Sequence, residues 1–265
     1  MKTITGYEHR IIAFVDILGF RNLVDESVED NYTYLRIHNA LVNFRKLKKE
    51  KEDEFYDKDV KVTTFSDSLV ISYPLDFVGG LFHILYDLTY LQLQLLQEGV
   101  FVRGGITIGK LRHVQNEIFG PAMNEAYKLE SESAVYPRII ISESIINKGI
   151  DNTYERTNDI ALDKYSWKCE SKEVYEFLKK DRDGWYSLDF LRILDEIDTT
   201  EEYIRALKRI RSYIAKSILI HRNDEHILEK YIWVAEYFNM VLGEFSMEHG
   251  NDIDVIEISG WTTAR

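Results

Sequence analysis

The chain has 265 residues, of which 45% are hydrophobic and 13% aromatic, so it can form one large domain or a catalytic core with an appendage. Its net charge of −12 repels phosphodiester backbones and argues against extended binding to nucleic acid, whereas metal ions can neutralise a small triphosphate locally. The single cysteine, Cys169, excludes an internal disulfide and fits a reducing, cytoplasmic location, and no signal-peptide pattern precedes the first apolar run.

The first half of the chain begins with patterns that place two acids at strand ends. The β-branched, apolar run Arg10 to Val15 predicts a central strand that ends at Asp16. Val60 to Thr64 and Leu69 to Tyr73 both resemble strands, and the short segment between them predicts a hairpin with Asp67 in its turn.

The remaining elements of this half complete a mixed sheet. Helices are predicted over 29–51, 81–97 and 121–130, and strands over 101–108 and 137–142. Polar residues interrupt the apolar stretch 79–100, which indicates a buried helix rather than a membrane span, so no direct membrane contact is expected. The element order predicts the α+β class, with a mixed sheet and helices on one face, as in ferredoxin-like palm domains.

The second half has a different pattern. Two short segments, Val174 to Leu178 and Trp185 to Leu191, resemble strands, and long helices are predicted over 199–220 and 223–248. We therefore expect a catalytic domain over residues 1–195 and a helical C-terminal extension over 196–265. The 7 histidines show no spacing typical of metal ligands, so a zinc centre is not expected.

Asp16 and Asp67 are candidate metal ligands, because the end of a core strand and a neighbouring hairpin turn can lie at one edge of a sheet. Two close carboxylates repel each other, and Mg²⁺, which prefers hard oxygen ligands and substrate phosphates, resolves the repulsion. Paired acids of this kind support two-metal phosphoryl or nucleotidyl transfer. The alternative is that Asp16 caps the next helix and that Asp67 accepts hydrogen bonds in its turn.

Four segments, in chain order, resemble motifs of the class III adenylyl and guanylyl cyclases. Residues 14–20 (FVDILGF) resemble the first metal motif, and residues 65–68 (FSDS) resemble the second. Residues 102–109 (VRGGITIG) resemble the strand with an Arg and a Gly-Ile pair, and residues 119–126 (FGPAMNEA) resemble the helix after the base-recognition loop. Order and spacing agree over residues 11–142, which implies a class III cyclase core with a ferredoxin-like palm.

The resemblance implies a role for each matching residue. Asp16, Asp67 and the backbone carbonyl of Ile17 would bind two Mg²⁺ or Mn²⁺ ions. Asn124 would orient the ribose, and Lys128 would stabilise the transition state where the family has an Arg, without that residue's bidentate fork. The substrate-binding positions would be Arg103, Thr63, Glu117, Gly19 and Phe20. In this family Asn124 and Lys128 serve the site of the other subunit, so the resemblance implies a homodimer.

Simpler interpretations exist for single residues of this set. Arg103 could be a surface strand residue, Asn124 a polar residue at a helix start, and Lys128 a solvated charge. The glycines of residues 104–109 could serve close packing alone.

The base that such an enzyme would recognise is indicated by two positions. Adenylyl cyclases place a Lys four residues before the second metal Asp and an Asp three residues before the helix glycine, where this chain has Thr63 and Glu117. The Glu of guanylyl cyclases at the first position is also absent. An acceptor without its cationic partner indicates a base other than adenine, and these two positions leave the choice among the other bases open.

The short core followed by residues 230–239 (KYIWVAEYFN) resembles the bacterial pyrimidine cyclases of Pycsar antiphage systems. That resemblance implies conversion of UTP, or CTP, to 3',5'-cyclic UMP, or cyclic CMP, and pyrophosphate, with a separate effector protein that senses the product. Uridylate is placed slightly ahead of cytidylate. The aromatic spacing of this segment is also explained by core packing.

Two other functions remain open. A diguanylate-cyclase or polymerase-like palm also uses paired acids, but the hairpin turn here lacks the Gly-Gly-acid-acid sequence of the diguanylate enzymes. A catalytically silent, nucleotide-binding regulator with the cyclase fold would explain Lys128 and the unusual base positions.

Overall fold

The computed structural model describes residues 6–53, 59–115, 117–159, 172–192, 200–249 and 253–258. The strands are β1 (Glu8–Ile17), β2 (Lys61–Phe65), β3 (Ser68–Pro74), β4 (Val102–Val114), β5 (Glu117–Phe119), β6 (Ile139–Ile141), β7 (Leu178–Lys180) and β8 (Tyr186–Leu188). The helices are α1 (Phe20–Ser27), α2 (Asn31–Asp53), α3 (Gly80–Gln97), α4 (Pro121–Lys128), α5 (Glu143–Asp159), α6 (described over 172–176), α7 (Thr200–Ile220) and α8 (Glu225–His249).

The strands form a mixed sheet in the order β2-β3-β1-β4-β6-β8-β7, with β5 paired to β4. Every described pair is antiparallel except β4 with β6, which is parallel. β1 lies between β3 and β4, and its interior is apolar on both faces because both faces are covered. The predicted α+β class with a mixed sheet is confirmed.

Helices cover both faces of the sheet. Ile11 and Val15 of β1 pack in the large core formed with α2, α3 and α5. Ile12 and Phe14 project to the opposite face, since side chains alternate along a strand, and pack there against Ala126 and other apolar residues of α4. The prediction that the helices lie on one face is therefore wrong for α4.

Glycines on β4 allow α4 to approach the sheet closely. A Cβ added at Gly105 would overlap Leu129 and would lie 2.9 Å from the carbonyl oxygen of Ala126. A Cβ at Gly109 would lie 3.2 Å from the Cβ of Ala122. The helix thus occupies the space that side chains would fill at these two positions.

The two long C-terminal helices form a second apolar core. α7 and α8 pack together and against Leu93 and Leu96 of α3 and Phe101, the residue just before β4. The two predicted helices are confirmed, and the aromatic residues of residues 230–239 pack in this core, as their spacing predicts. The domain boundary at residue 195 falls outside the described residues and stays a prediction.

The prediction of a strand over Val174 to Leu178 is wrong. Residues 172–176 are helical, and the strand β7 begins only at Leu178. Val174, Phe177 and Leu178 are spaced by three and four residues, which fits one face of a helix as well as it fits a short strand. Val174 and Leu178 are both buried in the main core, Val174 from the helix and Leu178 from the start of β7.

Two further elements have no counterpart in the predictions. α5 follows Ser142, whose hydroxyl lies 3.4 Å from the backbone nitrogen of Ile145 and marks the helix start. β5 pairs with the end of β4 after a turn in which Gln115 has a φ of 52°. In the described ranges, no helix has both the length and the apolar character needed to cross a membrane.

Candidate functional site

Three strands bring candidate residues together at one end of the sheet. β1 ends beside the start of β3 and the start of β4, because both neighbours run antiparallel to it. We call residues 16–18, 66–68 and 101–103 the site edge. Both acids predicted as metal ligands belong to this edge, and Arg103 is directly opposite Asp16 in the β1–β4 register.

Asp67 lies in the turn of the β2–β3 hairpin, as predicted, and the turn is joined to β1 by two hydrogen bonds. Ser66 takes a φ of 50°, the left-handed conformation that a tight turn requires. The Ile17 backbone N–H donates to the Asp67 carbonyl oxygen over 3.2 Å, and the Ser68 hydroxyl donates to Asp16 Oδ1 over 2.8 Å. The hairpin turn therefore holds its acid next to the end of β1.

Asp16 is half-buried, and its electrostatic environment favours the protonated form. Burial raises the pKa of the Asp16 carboxyl, and the charge of Asp67 raises it further. The hydrogen bond from Ser68 and the charge of Arg103 oppose these effects without cancelling them. Two carboxylates thus act on each other at this edge, and a cation would relieve the cost of ionising both.

Asp16 does not act as the cap of α1. The N-cap position of that helix is Gly19, which has a φ of 70°, and no side chain donates or accepts a capping hydrogen bond there. The alternative role of Asp16 as a helix cap is therefore wrong. Gly19 is exposed with open space around its Cβ position, and Phe20 packs partly against the main core.

Glu130 is a third carboxylate at the site, and the sequence patterns do not predict it. It lies in one turn of π-helix (Leu129–Ser133) that continues α4, a rare geometry that recurs at functional sites. Its Oε1 is 2.5 Å from Nε of Arg103, in an ion pair whose alignment falls short of a hydrogen bond, and the residue is 2% exposed.

The charge of Glu130 is coupled to both predicted metal ligands. Burial is the largest cause that raises the pKa of its carboxyl, and the charges of Asp16 and Asp67 raise it as well. The opposing effect of Arg103 is smaller than their sum. The site therefore contains three acids and one guanidinium that act on one another across β1, β4 and the end of α4.

Asn124 and Lys128 lie one helical turn apart on the exposed surface of α4. In the described part of the chain, neither side chain forms a hydrogen bond or an ion pair with Asp16 or Asp67. Their predicted service to the site of a second subunit stays a prediction.

Thr63 and Glu117 lie near the hairpin formed by β4 and β5. Thr63 is 2% exposed, and its hydroxyl donates to the carbonyl oxygen of Gln115 over 2.9 Å and lies 3.1 Å from Nε2 of His113. Burial, followed by the charge of nearby Arg10, lowers the pKa of His113 to about 4, so the imidazole is neutral at pH 7. The Thr63 hydroxyl is thus engaged inside its own chain, and Glu117 is exposed and paired with Arg112 over 3.1 Å.

The available side chains fit a hard cation whose coordination is completed by substrate. Over the described ranges, no three His, Cys, Asp or Glu side chains converge as a metal centre closed by protein alone would require. Asp16 and Asp67 supply carboxylate oxygens, and magnesium sites commonly use one or two carboxylates together with waters and substrate phosphates. This donor set fits Mg²⁺ or Mn²⁺ better than zinc.

Comparison with known proteins yields no assignment. No protein-family model matches the chain, and no curated protein matches it. Function is therefore inferred from the residues of the site itself.

Proposed function

We propose that the protein is a nucleotidyl cyclase that converts UTP, or CTP, to the 3',5'-cyclic monophosphate and pyrophosphate. The observation that supports this proposal is that Asp16, Asp67 and Arg103 lie together at the site edge. Two acids and one guanidinium match the requirements of a triphosphate that arrives with divalent cations.

In the proposed reaction the ribose 3'-oxygen attacks the α-phosphorus. The bond from the 3'-oxygen to the α-phosphorus forms, the bond from the α-phosphorus to the oxygen that bridges it to the β-phosphorus breaks, pyrophosphate leaves with that oxygen, and the 3'-hydroxyl proton passes to water. No covalent enzyme intermediate is needed. Positioning and electrostatic stabilisation of the charge at phosphorus would supply the rate enhancement.

Asp16 and Asp67, with the carbonyl of Ile17, would hold Mg²⁺ or Mn²⁺. When bound, such ions lower the pKa of a coordinated hydroxyl and stabilise a leaving pyrophosphate. The chain's own contribution is to hold the two acids side by side at the site edge and to place Arg103 opposite Asp16. Ser68 fixes the Asp16 carboxylate through its hydrogen bond.

The proposed enzyme is a homodimer with the class III, palm-like core. Asn124 and Lys128 would orient the ribose and stabilise the transition state in the site of the partner, and their exposure on α4 supports such a role. We further infer that the protein acts in the cytoplasm, and that its cyclic product is a second messenger of antiphage defence sensed by a separate effector. These inferences rest on the resemblance to pyrimidine cyclases.

A catalytically silent nucleotide-binding regulator is the second candidate. The ion pair between Arg103 and Glu130 favours the regulator, because Arg103, the residue proposed to bind the triphosphate, is already paired with a carboxylate of its own chain. Turnover distinguishes the two candidates.

The test is incubation of purified protein with ATP, GTP, CTP or UTP and Mn²⁺, followed by mass spectrometry of the products. The proposal expects a cyclic pyrimidine monophosphate that is absent with Asp67→Ala. A protein that binds a triphosphate without consuming it would support the regulator. A linear dinucleotide or cyclic dinucleotide product would indicate the polymerase-like or diguanylate-type palm instead.

A further inference from the structure

The start of α8 lies against the site edge. Phe101 precedes Arg103 by two residues, and its carbonyl oxygen accepts a hydrogen bond over 2.8 Å from the backbone N–H of Leu18, two residues after Asp16. The ring of Tyr231 in α8 packs edge-on against the ring of Phe101, with 5.1 Å between centroids. The helix is therefore joined to the strand that carries Arg103.

A second aromatic contact fixes the rotation of α8. Trp233 stacks on Tyr136 with 5.5 Å between ring centroids and 8° between ring planes. The guanidinium of Arg138 lies 5.6 Å from the centroid of Trp233, and Arg138 is 1% exposed. Lys230 is three and four residues before Trp233 and the buried Val234, so the three side chains share one side of α8. The contacts of Trp233 therefore direct Lys230 towards the same end of the sheet.

Lys230 is half-buried, and no carboxylate within the described ranges pairs with it. Among the described residues it forms no hydrogen bond or ion pair. Burial lowers the pKa of its ammonium, and the nearby positive charge of Arg103 lowers it further, against the opposing charge of Asp224. Two cations thus lie near each other at the site edge. Glu130 pairs with Arg103 but not with Lys230, so an anion that binds between the two cations offsets the remaining cost.

We propose that Lys230 and Arg103 together bind the terminal phosphates of the nucleoside triphosphate, so that α8 forms part of the substrate site of its own chain. This inference rests on the proposed function and names a further residue for it. The ammonium of Lys230 supplies a mobile point charge to non-bridging phosphate oxygens, and the Arg103 guanidinium supplies a planar fork. The same two groups hold the pyrophosphate as its negative charge grows during departure.

The experiment measures binding of inorganic tripolyphosphate and of 3'-deoxy-UTP and 3'-deoxy-CTP, which lack the attacking hydroxyl, by calorimetry with Mg²⁺. The variants are Lys230→Met, which keeps the apolar stem, and Lys230→Arg, which keeps the charge. Lys208→Met is the matched control, because Lys208 is an exposed lysine of α7 and its loss changes the net charge equally.

We expect Lys230→Met to lower the affinity for tripolyphosphate, and for whichever 3'-deoxy nucleotide the wild type binds, by about tenfold or more. This is the effect expected from the loss of one charge-assisted hydrogen bond. Lys230→Arg should restore most of that affinity, and Lys208→Met should bind as the wild type does. Equal affinity of Lys230→Met and wild type, with both folded by circular dichroism, overturns the inference.

The outcomes separate this inference from the proposed function. A wild type that forms a cyclic nucleotide, with no effect of Lys230→Met on affinity or turnover, overturns the role of Lys230 alone. A wild type that binds tripolyphosphate through Lys230 but forms no cyclic product overturns the proposed reaction alone. A wild type that binds neither tripolyphosphate nor either 3'-deoxy nucleotide overturns both.

Discussion

Nε of Arg103 lies 2.5 Å from Oε1 of Glu130, a carboxylate carried by the π-helical turn that ends α4. The pair connects β4, where Arg103 is opposite Asp16 of β1, to α4, the helix that carries Asn124 and Lys128. In the proposed enzyme, a triphosphate that approaches Arg103 would have to compete with Glu130 for the guanidinium. Glu130 would then link the affinity of the proposed site for anions to the position of α4.

Replacement of Glu130 by Gln should raise the affinity for tripolyphosphate by several-fold, because Arg103 is released from its internal partner. Because folding raises the pKa of Glu130, its ionised form costs the folded state free energy at neutral pH, so the same change should leave the free energy of unfolding of the free protein unchanged or raise it. Calorimetric titration and urea unfolding measure the two effects. Glu132→Gln, an exposed neighbour in the same turn, is the control. Unchanged or weaker anion binding in Glu130→Gln would show that the pair does not compete with substrate.

Replacement of Asp16 by Asn should stabilise the metal-free protein at neutral pH. Because folding raises the pKa of Asp16, this carboxyl favours the folded state only while protonated, and the contribution is lost as the pH rises through the raised pKa. We expect an increase in melting temperature on the order of 2 °C at pH 7.5, since the group is partly screened by solvent. The increase should vanish below the unfolded-state pKa of about 3.9.

The same Asp16→Asn variant tests the metal site without reference to turnover. Added Mg²⁺ or Mn²⁺ should raise the melting temperature of the wild type and leave that of Asp16→Asn unchanged, because an ion that binds only the folded state stabilises it. Asp25→Asn, which removes an exposed carboxylate of α1, should respond as the wild type does. Equal responses of all three proteins would argue against a metal ion at Asp16.

Replacement of Gly105 by Ala should destabilise the fold by about 2–3 kcal/mol, because the new methyl group would overlap Leu129 and force α4 away from the sheet. Gly109→Ala is the matched control, as its methyl group would meet only Ala122 at 3.2 Å. Urea unfolding of both variants gives the comparison. A Gly105→Ala variant no less stable than Gly109→Ala would contradict the close packing of α4 on β4.

Two inactive variants should restore activity to each other if each site is shared between subunits. In a dimer of Asp67→Ala with Lys128→Ala, one site has both defects and the other has none, so an equal mixture should recover roughly a quarter of the wild-type activity. A mixture of Asp67→Ala with Asp16→Ala should recover no activity. Each site takes both of its acids from one chain, so every site in the mixed dimer still lacks one acid. The absence of recovery in the first mixture, with exchange of subunits shown by mass, would place both groups in one chain.

The central strands and the acid turn follow from local signals in the sequence. Residues 11–15 are β-branched or apolar and are followed by Asp16, and the spacing of two strand patterns around Asp67 leaves room only for a turn. The structure confirms both elements and joins the acids through Ser68 and the N–H of Ile17.

Other features depend on tertiary packing and have no such signal. The side of the sheet that α4 covers is decided by the missing side chains of Gly105 and Gly109, which the sequence shows without showing what fills the space. Glu130 faces inward because the helix widens to a π-turn after Lys128, a change that no residue type encodes. Lys230 is separated from Arg103 by more than 120 residues, and only the packing of α8 relates them.

The proposed role of Asp16 and Asp67 is to support cyclisation of a pyrimidine nucleoside triphosphate. Its most direct test is the mass spectrum of the products formed from UTP and from CTP, with Mn²⁺, by wild-type protein and by the isosteric variant Asp67→Asn. We expect a 3',5'-cyclic monophosphate and pyrophosphate in equal amounts from at least one of the two substrates with the wild type, and neither product with the variant. Intact UTP and CTP after incubation with the wild type, or equal amounts of product from both proteins, would contradict the claim.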